Sequence, residues 1–242
     1  MKKGILIIIV VLITTLVIGC SDDSNESSEI VSDYSFNGNA NDDSGNDYHG
    51  IVHGASLTSD RNGNQNSAYS FDGNSNYIEI SSPKEDDLDF TDALTVSIWV
   101  KLQNDDDFQA FISKEEGSGY GLSYRGESTD RMYFACHING SYRSVEALEP
   151  AIMNEWYHIV GTYNHESGTS GEVKFYVNGV LQGTNTSGGD FDITNSPVPL
   201  LIGANPTQTG GSIFLNGVID EVQLYRRAFN ESEVLSLYNE QK

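Results

Sequence analysis

From Ile30 onward the chain runs in short segments of alternating apolar and polar residues, separated by clusters of Gly, Asn, Asp and Ser. In Thr95-Val96-Ser97-Ile98-Trp99-Val100-Lys101 every second residue is apolar, the pattern of a strand whose successive side chains point to opposite faces. Trp156 to Tyr163 repeats that pattern. Val173 to Val177 and Val180-Leu181-Gln182 flank Asn178-Gly179, a dipeptide that accepts positive φ at both turn positions, so the segment predicts a hairpin. Further strands are expected over residues 31–36, 51–52, 68–71, 77–80, 110–113, 121–124, 132–137, 200–202 and 217–225.

One segment reads as helix. Asn230 is a good N-cap, Glu233 stands three residues on in capping-box position, and Val234, Leu235 and Tyr238 fall on one face. A dozen or so strands with one short C-terminal helix imply an all-β fold in which two antiparallel sheets pack into a sandwich. No composition break divides residues 31–242, and no internal repeat is visible, so they are expected to form one domain.

The start of the chain follows other rules. Met1-Lys2-Lys3 is basic and Gly4 to Ile18 is apolar apart from Thr14 and Thr15, the length of a secretory leader core and short for a membrane span. It ends in Val17-Ile18-Gly19-Cys20, similar to a bacterial lipobox. The expectation is a leader over residues 1–19, a diacylated Cys20 as the first mature residue, and a polar tether over residues 20–30 that anchors the domain to a membrane by lipid alone. Ser21-Asp22-Asp23 resembles an export tag of Gram-negative lipoproteins, which implies an outer membrane position facing outward. A formal charge of −22, lowered further by loss of Lys2 and Lys3, repels nucleic acid and suits divalent cations. With Cys20 acylated, Cys136 lacks a partner for an intrachain disulfide and reads as a buried, inert thiol.

An ordered set of motifs resembles the LamG-like jellyroll family of the concanavalin A-like group. Its opening is Tyr34-Ser35-Phe36-Asn37-Gly38-Asn39-Ala40, Asp42, Ser44-Gly45-Asn46, His49-Gly50, Ala68 to Gly73 and Tyr77-Ile78. Ser97 to Lys101, Trp156 to Val160, Phe175 to Gly179, Leu201 to Gly203 and Gly217 to Ala228 follow in order. The resemblance implies a jellyroll used for carbohydrate binding, adhesion or accessory roles. It also implies a structural calcium held between the opening loop and the last strand, with Asp42, Asn46, Gly50 and Asp220 as the candidate ligands. Such a clamp would close a loop of about 180 residues, and a chelator would then lower the melting temperature.

Catalysis finds little support. No Glu-x-Asp-x-x-Glu run is present, Glu85-Asp86-Asp87 sits beside Pro83, and Asp220 and Glu221 are adjacent, so a regular strand would point them to opposite faces. The five histidines show no metal spacing and no Ser lies in a Gly-x-Ser-x-Gly elbow. The middle third instead gathers Tyr120, Tyr124, Tyr133 and Tyr142 with Arg125, Arg131 and Arg143, rings to stack on sugar faces and forked donors for acidic or hydroxyl-rich groups. The expected ligand is an extracellular glycan, bound without being transformed; a surface protein is the rival partner.

Overall fold

The computed structural model describes residues 30–80, 88–106, 108–126, 129–166, 168–207 and 210–242. The leader, Cys20, the tether up to residue 29 and Glu85-Asp86-Asp87 lie outside them. Seventeen strands and one helix follow one another. The first six are β1 (Ile30–Tyr34), β2 (Gly50–His53), β3 (Ser56–Thr58), β4 (Ala68–Asp72), β5 (Tyr77–Ile80) and β6 (Ala93–Leu102). Next come β7 (Gln109–Ser113), β8 (Tyr120–Arg125), β9 (Arg131–Ile138), β10 (Ser141–Glu146), β11 (Trp156–Asn164) and β12 (Glu172–Val177). The chain closes with β13 (Val180–Thr186), β14 (Leu200–Ile202), β15 (Asn205–Thr207), β16 (Gly210–Ser212), β17 (Asn216–Tyr225) and α1 (Glu231–Gln241).

Two antiparallel sheets form the sandwich. One has the order β13-β12-β11-β6-β17-β4-β3, with β1 also paired to β17, and the other has the order β10-β9-β8-β7-β14-β5-β2. Each predicted strand is present, and so is the Asn178-Gly179 hairpin, with φ of 50° and 78° at its two turn residues. β3, β10 and the β15–β16 ribbon are additions to the sequence reading. Alternation fills the space between the sheets: Ile98, Phe111, Leu122, Phe134, Phe175 and Leu224 are fully buried there. The sheets approach closely at Gly161, where an added Cβ would stand 2.2 Å from the Phe134 ring.

β6 is buried on both sides, because α1 covers the outer face of its sheet. The helix starts at the predicted cap: the Asn230 side chain accepts from the backbone N–H groups of Ser232 and Glu233, and the Glu233 carboxylate accepts from Asn230 N–H at 2.7 Å. Val234 packs with Val160, Tyr176 and Phe229 in a second small core, with Leu237 against it. Leu235, expected on the packing face, is 46% exposed; the helix presents Val234 and Tyr238 to the sheet and turns Leu235 outward.

Candidate ligand-binding face

Among the described residues no helix lies over β8, β9 and β10 on the outer face of the second sheet. Strand parity decides what stands on it. Tyr120, Leu122 and Tyr124 on β8 and Met132, Phe134 and Cys136 on β9 point into the sandwich. Gly121, Ser123 and Arg125, then Tyr133 and His137, then Tyr142 and Glu146 take the opposite parity and look outward. Register brings them together: Ser123 opposes Tyr133, Arg125 opposes Arg131, Glu146 opposes Tyr133 and Tyr142 opposes His137.

The centre of this face is a guanidinium between two rings. Arg125 lies 5.4 Å from the centroid of Phe108 and 5.2 Å from that of Tyr133, and its Nη1 donates to Glu146 Oε1 at 2.8 Å. The ion pair orients the fork, and the two rings strip part of its water. Beside it Tyr142 is 47% exposed and meets His137 edge-on at 5.1 Å. Burial, with Glu115 nearby, pushes the Tyr142 phenol up to about 12 and raises that of Tyr133, so both keep a proton to donate at neutral pH. Glu115 folds over Gly121, whose missing side chain leaves it room. Burial raises the Glu115 carboxyl to about 8, and its Oε1 finds no hydrogen-bond partner among the described residues.

Three residues expected here belong elsewhere. Tyr120 and Tyr124 are 1% and 0% exposed; their hydroxyls donate to the Leu88 carbonyl and to Asp130 Oδ1, and even parity on β8 makes both of them core. Arg143 shares parity with Val145 and donates to the Ser187 carbonyl instead of joining the outward set. Arg125, Arg131, Tyr133 and Tyr142 remain on one face. Phe108, Glu146, Glu115 and His137 join them; Glu146 was unforeseen because β10 was missed, and Phe108 and Glu115 because they flank β7 and reach this face only through its place in the sheet. Asn139-Gly140, with φ of 48° and 73°, carries the same hairpin signal as Asn178-Gly179 and would have revealed that strand.

The calcium set does not assemble. Asp42 Oδ1 accepts from the N–H groups of Asp33 and Ser44, both at 2.9 Å, and its Oδ2 accepts from Ser44 Oγ at 2.8 Å and Tyr48 N–H at 3.1 Å. Four donors fill a carboxylate that has about four acceptor positions. Asn46 Nδ2 donates to the Ile30 and Val31 carbonyls, and Gly50 N–H donates to the Ala40 carbonyl. The opening loop thus staples the start of β1. Asp220, 1% exposed, pairs with Arg61, and burial pushes its carboxyl up to about 7 against the pull of that guanidinium. Among the described residues no group of three or more His, Cys, Asp or Glu is placed to hold a metal, and the two carboxylates expected to ligate the ion, Asp42 and Asp220, are taken up by separate partners.

Asp220 and Glu221 do not point to opposite faces. Glu221 has a φ of 48° at a bulge in the β17–β6 pairing, and both carboxylates turn to Arg61. The free Cys136 is fully buried, which raises its thiol well above the ordinary range.

Residues 72–235 match the profile of the Concanavalin A-like lectin/glucanases superfamily, in its Laminin_G_3 branch. A relative in Danio rerio, adhesion G-protein coupled receptor V1, is 25% identical over 156 residues, which are 60% of this chain and 2% of the receptor. Among solved structures, the binding domain of Paraclostridial Mosquitocidal Protein 1 superposes with a TM-score of 0.66 at 20% identity, covering 89% of this chain and 53% of that one. A structure of botulinum neurotoxin type C, a toxin dependent on interaction with two ganglioside molecules to enter cells, gives 0.66 at 15% identity over 90% and 53%. The chain spans about half the length of those solved structures. At such identities they establish the fold.

Proposed function

The chain belongs to the concanavalin A-like lectin/glucanases superfamily, and on that footing we propose that it is a non-catalytic module that binds an extracellular glycan on the outer face of β8, β9 and β10. The observation that carries this is the Phe108–Arg125–Tyr133 stack with Glu146 fixed beside it. Aromatic faces take the apolar face of a pyranose; Arg125, Glu146 and the two phenols supply donors and acceptors for hydroxyl or carboxylate groups around it. The solved neighbours support the reading, since one is a binding domain and another belongs to a toxin that interacts with gangliosides.

The lipobox-like Cys20 extends the proposal: a lipid-held module on a bacterial outer membrane, facing outward. A surface protein is the second candidate partner, favoured by the likeness to an adhesion receptor. A polysaccharide panel separates the two. Saturable binding that falls at least about tenfold in Arg125→Ala and Tyr133→Ala supports the glycan reading, on the scale of a lost hot-spot side chain. No binding across neutral and acidic polysaccharides removes it. Membrane retention of Cys20→Ala would contradict the anchor.

A further inference from the structure

The turn between β3 and β4 carries a cation into a group of acids. Asp60 Oδ1 accepts from the backbone N–H groups of Asn62 and Asn64, both at 2.8 Å, and Oδ2 accepts from Asn64 Nδ2 at 2.8 Å, which fixes the turn on which Arg61 stands. The Arg61 side chain is 9% exposed. Its Nη1 donates to Asp220 Oδ2, and Nη2 lies 3.7 Å from Glu221 Oε1. Nε and Nη2 donate to the Gln241 carbonyl at 2.9 and 2.5 Å. The guanidinium also stands 4.7 Å from the centroid of Trp99, whose Nε1 donates to Gln241 Oε1 at 3.0 Å.

We propose that Arg61 is the protein's built-in cation at the junction of the β3–β4 turn, β17 and the last turn of α1, and that it makes this junction independent of divalent metal. The bulge at Glu221 turns two successive carboxylates to one side, an arrangement that a regular strand forbids and that a cation between them rewards. Apart from Lys242 at its C-cap the helix has no basic residue at its end, and Arg61 adds a positive charge there by donating to the Gln241 carbonyl at the negative end of its dipole. A guanidinium offers separate donors to the carboxylate and to the carbonyl in one plane, which an ammonium cannot do. It stays charged at every physiological pH, so a metal ion would have to displace a permanent cation. In the opening loop the Asp42 carboxylate is already taken up by four donors of its own.

Thermal melts test this. The unmodified protein should melt at the same temperature, within about 1 °C, in excess calcium chloride and in excess EDTA, since an ion that does not bind cannot shift the transition. Arg61→Ala leaves buried carboxyls without their partner and should lower the midpoint by roughly 6 to 20 °C. Arg61→Lys keeps the charge without the fork and should remain well below the unmodified protein. A midpoint that rises with calcium, or Arg61→Lys melting with the unmodified protein, overturns the proposal. Should Arg61→Ala fail to fold, the other two melts still decide it.

Discussion

The two outer faces of the sandwich are built from strands of the same period and meet different fates. Over the first sheet, Thr95, Ser97, Trp99 and His158 would be an exposed polar and aromatic row, but α1 covers them. Thr95 Oγ1 donates to the Arg227 carbonyl and accepts from Phe229 N–H, Ser97 Oγ meets His158 Nε2 at 2.8 Å, and Trp99 stacks with Tyr238 at 5.8 Å. Over the second sheet, Phe108, Arg125, Tyr133 and Tyr142 make a similar row that no described helix covers, with Phe108 and Tyr142 44% and 47% exposed and Arg125 and Tyr133 half-buried. The same residue types stabilise the fold where they are covered and, under the proposed function, meet a ligand where they are not.

Substitution should separate these roles. Trp99→Ala removes a large side chain that is 6% exposed, with its contacts to Arg61, Tyr238 and Gln241, and should cost about 3–5 kcal/mol in denaturant unfolding. Tyr133→Ala, on the open face, should cost less than half as much while weakening binding. Equal losses of stability would break the comparison.

Acid should act on the covered face first. Burial, helped by Arg61, lowers the His158 imidazole to about 3, so the folded protein holds it neutral while the unfolded chain protonates near 6.5. Between those values the unfolded state binds more protons. This group alone therefore removes about 1.4 kcal/mol of stability per unit below pH 6.5, while Asp220 and Glu115, raised to about 7 and about 8, take up protons in the folded state and act in the opposite sense. His158→Gln should gain stability relative to the unmodified protein as pH falls from 7 to 5; a constant difference between the two across that range would show that His158 does not carry this part of the acid response. The smallest effect is expected at Gly140, whose φ of 73° sets the turn into β10 and whose added Cβ would meet nothing within 4 Å. Gly140→Ala should cost about 1 kcal/mol in the same unfolding measurement, from backbone strain alone.

Strand periodicity made most of the fold legible, since β6, β11 and the β12–β13 hairpin alternate cleanly and α1 carries its own cap. β10 escaped because Ser141–Glu146 is an edge strand with a single well-buried residue, Val145, and so lacks the apolar alternation that marks a central strand. The candidate site suffered for it. Composition gathered tyrosines and arginines into one stretch of sequence, but only strand parity separates Tyr133 from Tyr124, and parity needs a register that one sequence does not supply. Asp220 misled for a different reason: its partner is Arg61, 159 residues away, and nothing local announces it.

The most direct test is a titration of the ¹⁵N-labelled protein with the polysaccharide that the panel identifies. The account predicts amide shifts clustered at Phe108, Arg125, Tyr133, Tyr142 and Glu146, with α1 and β6 unmoved. Shifts centred on α1 or on the opening loop would contradict it.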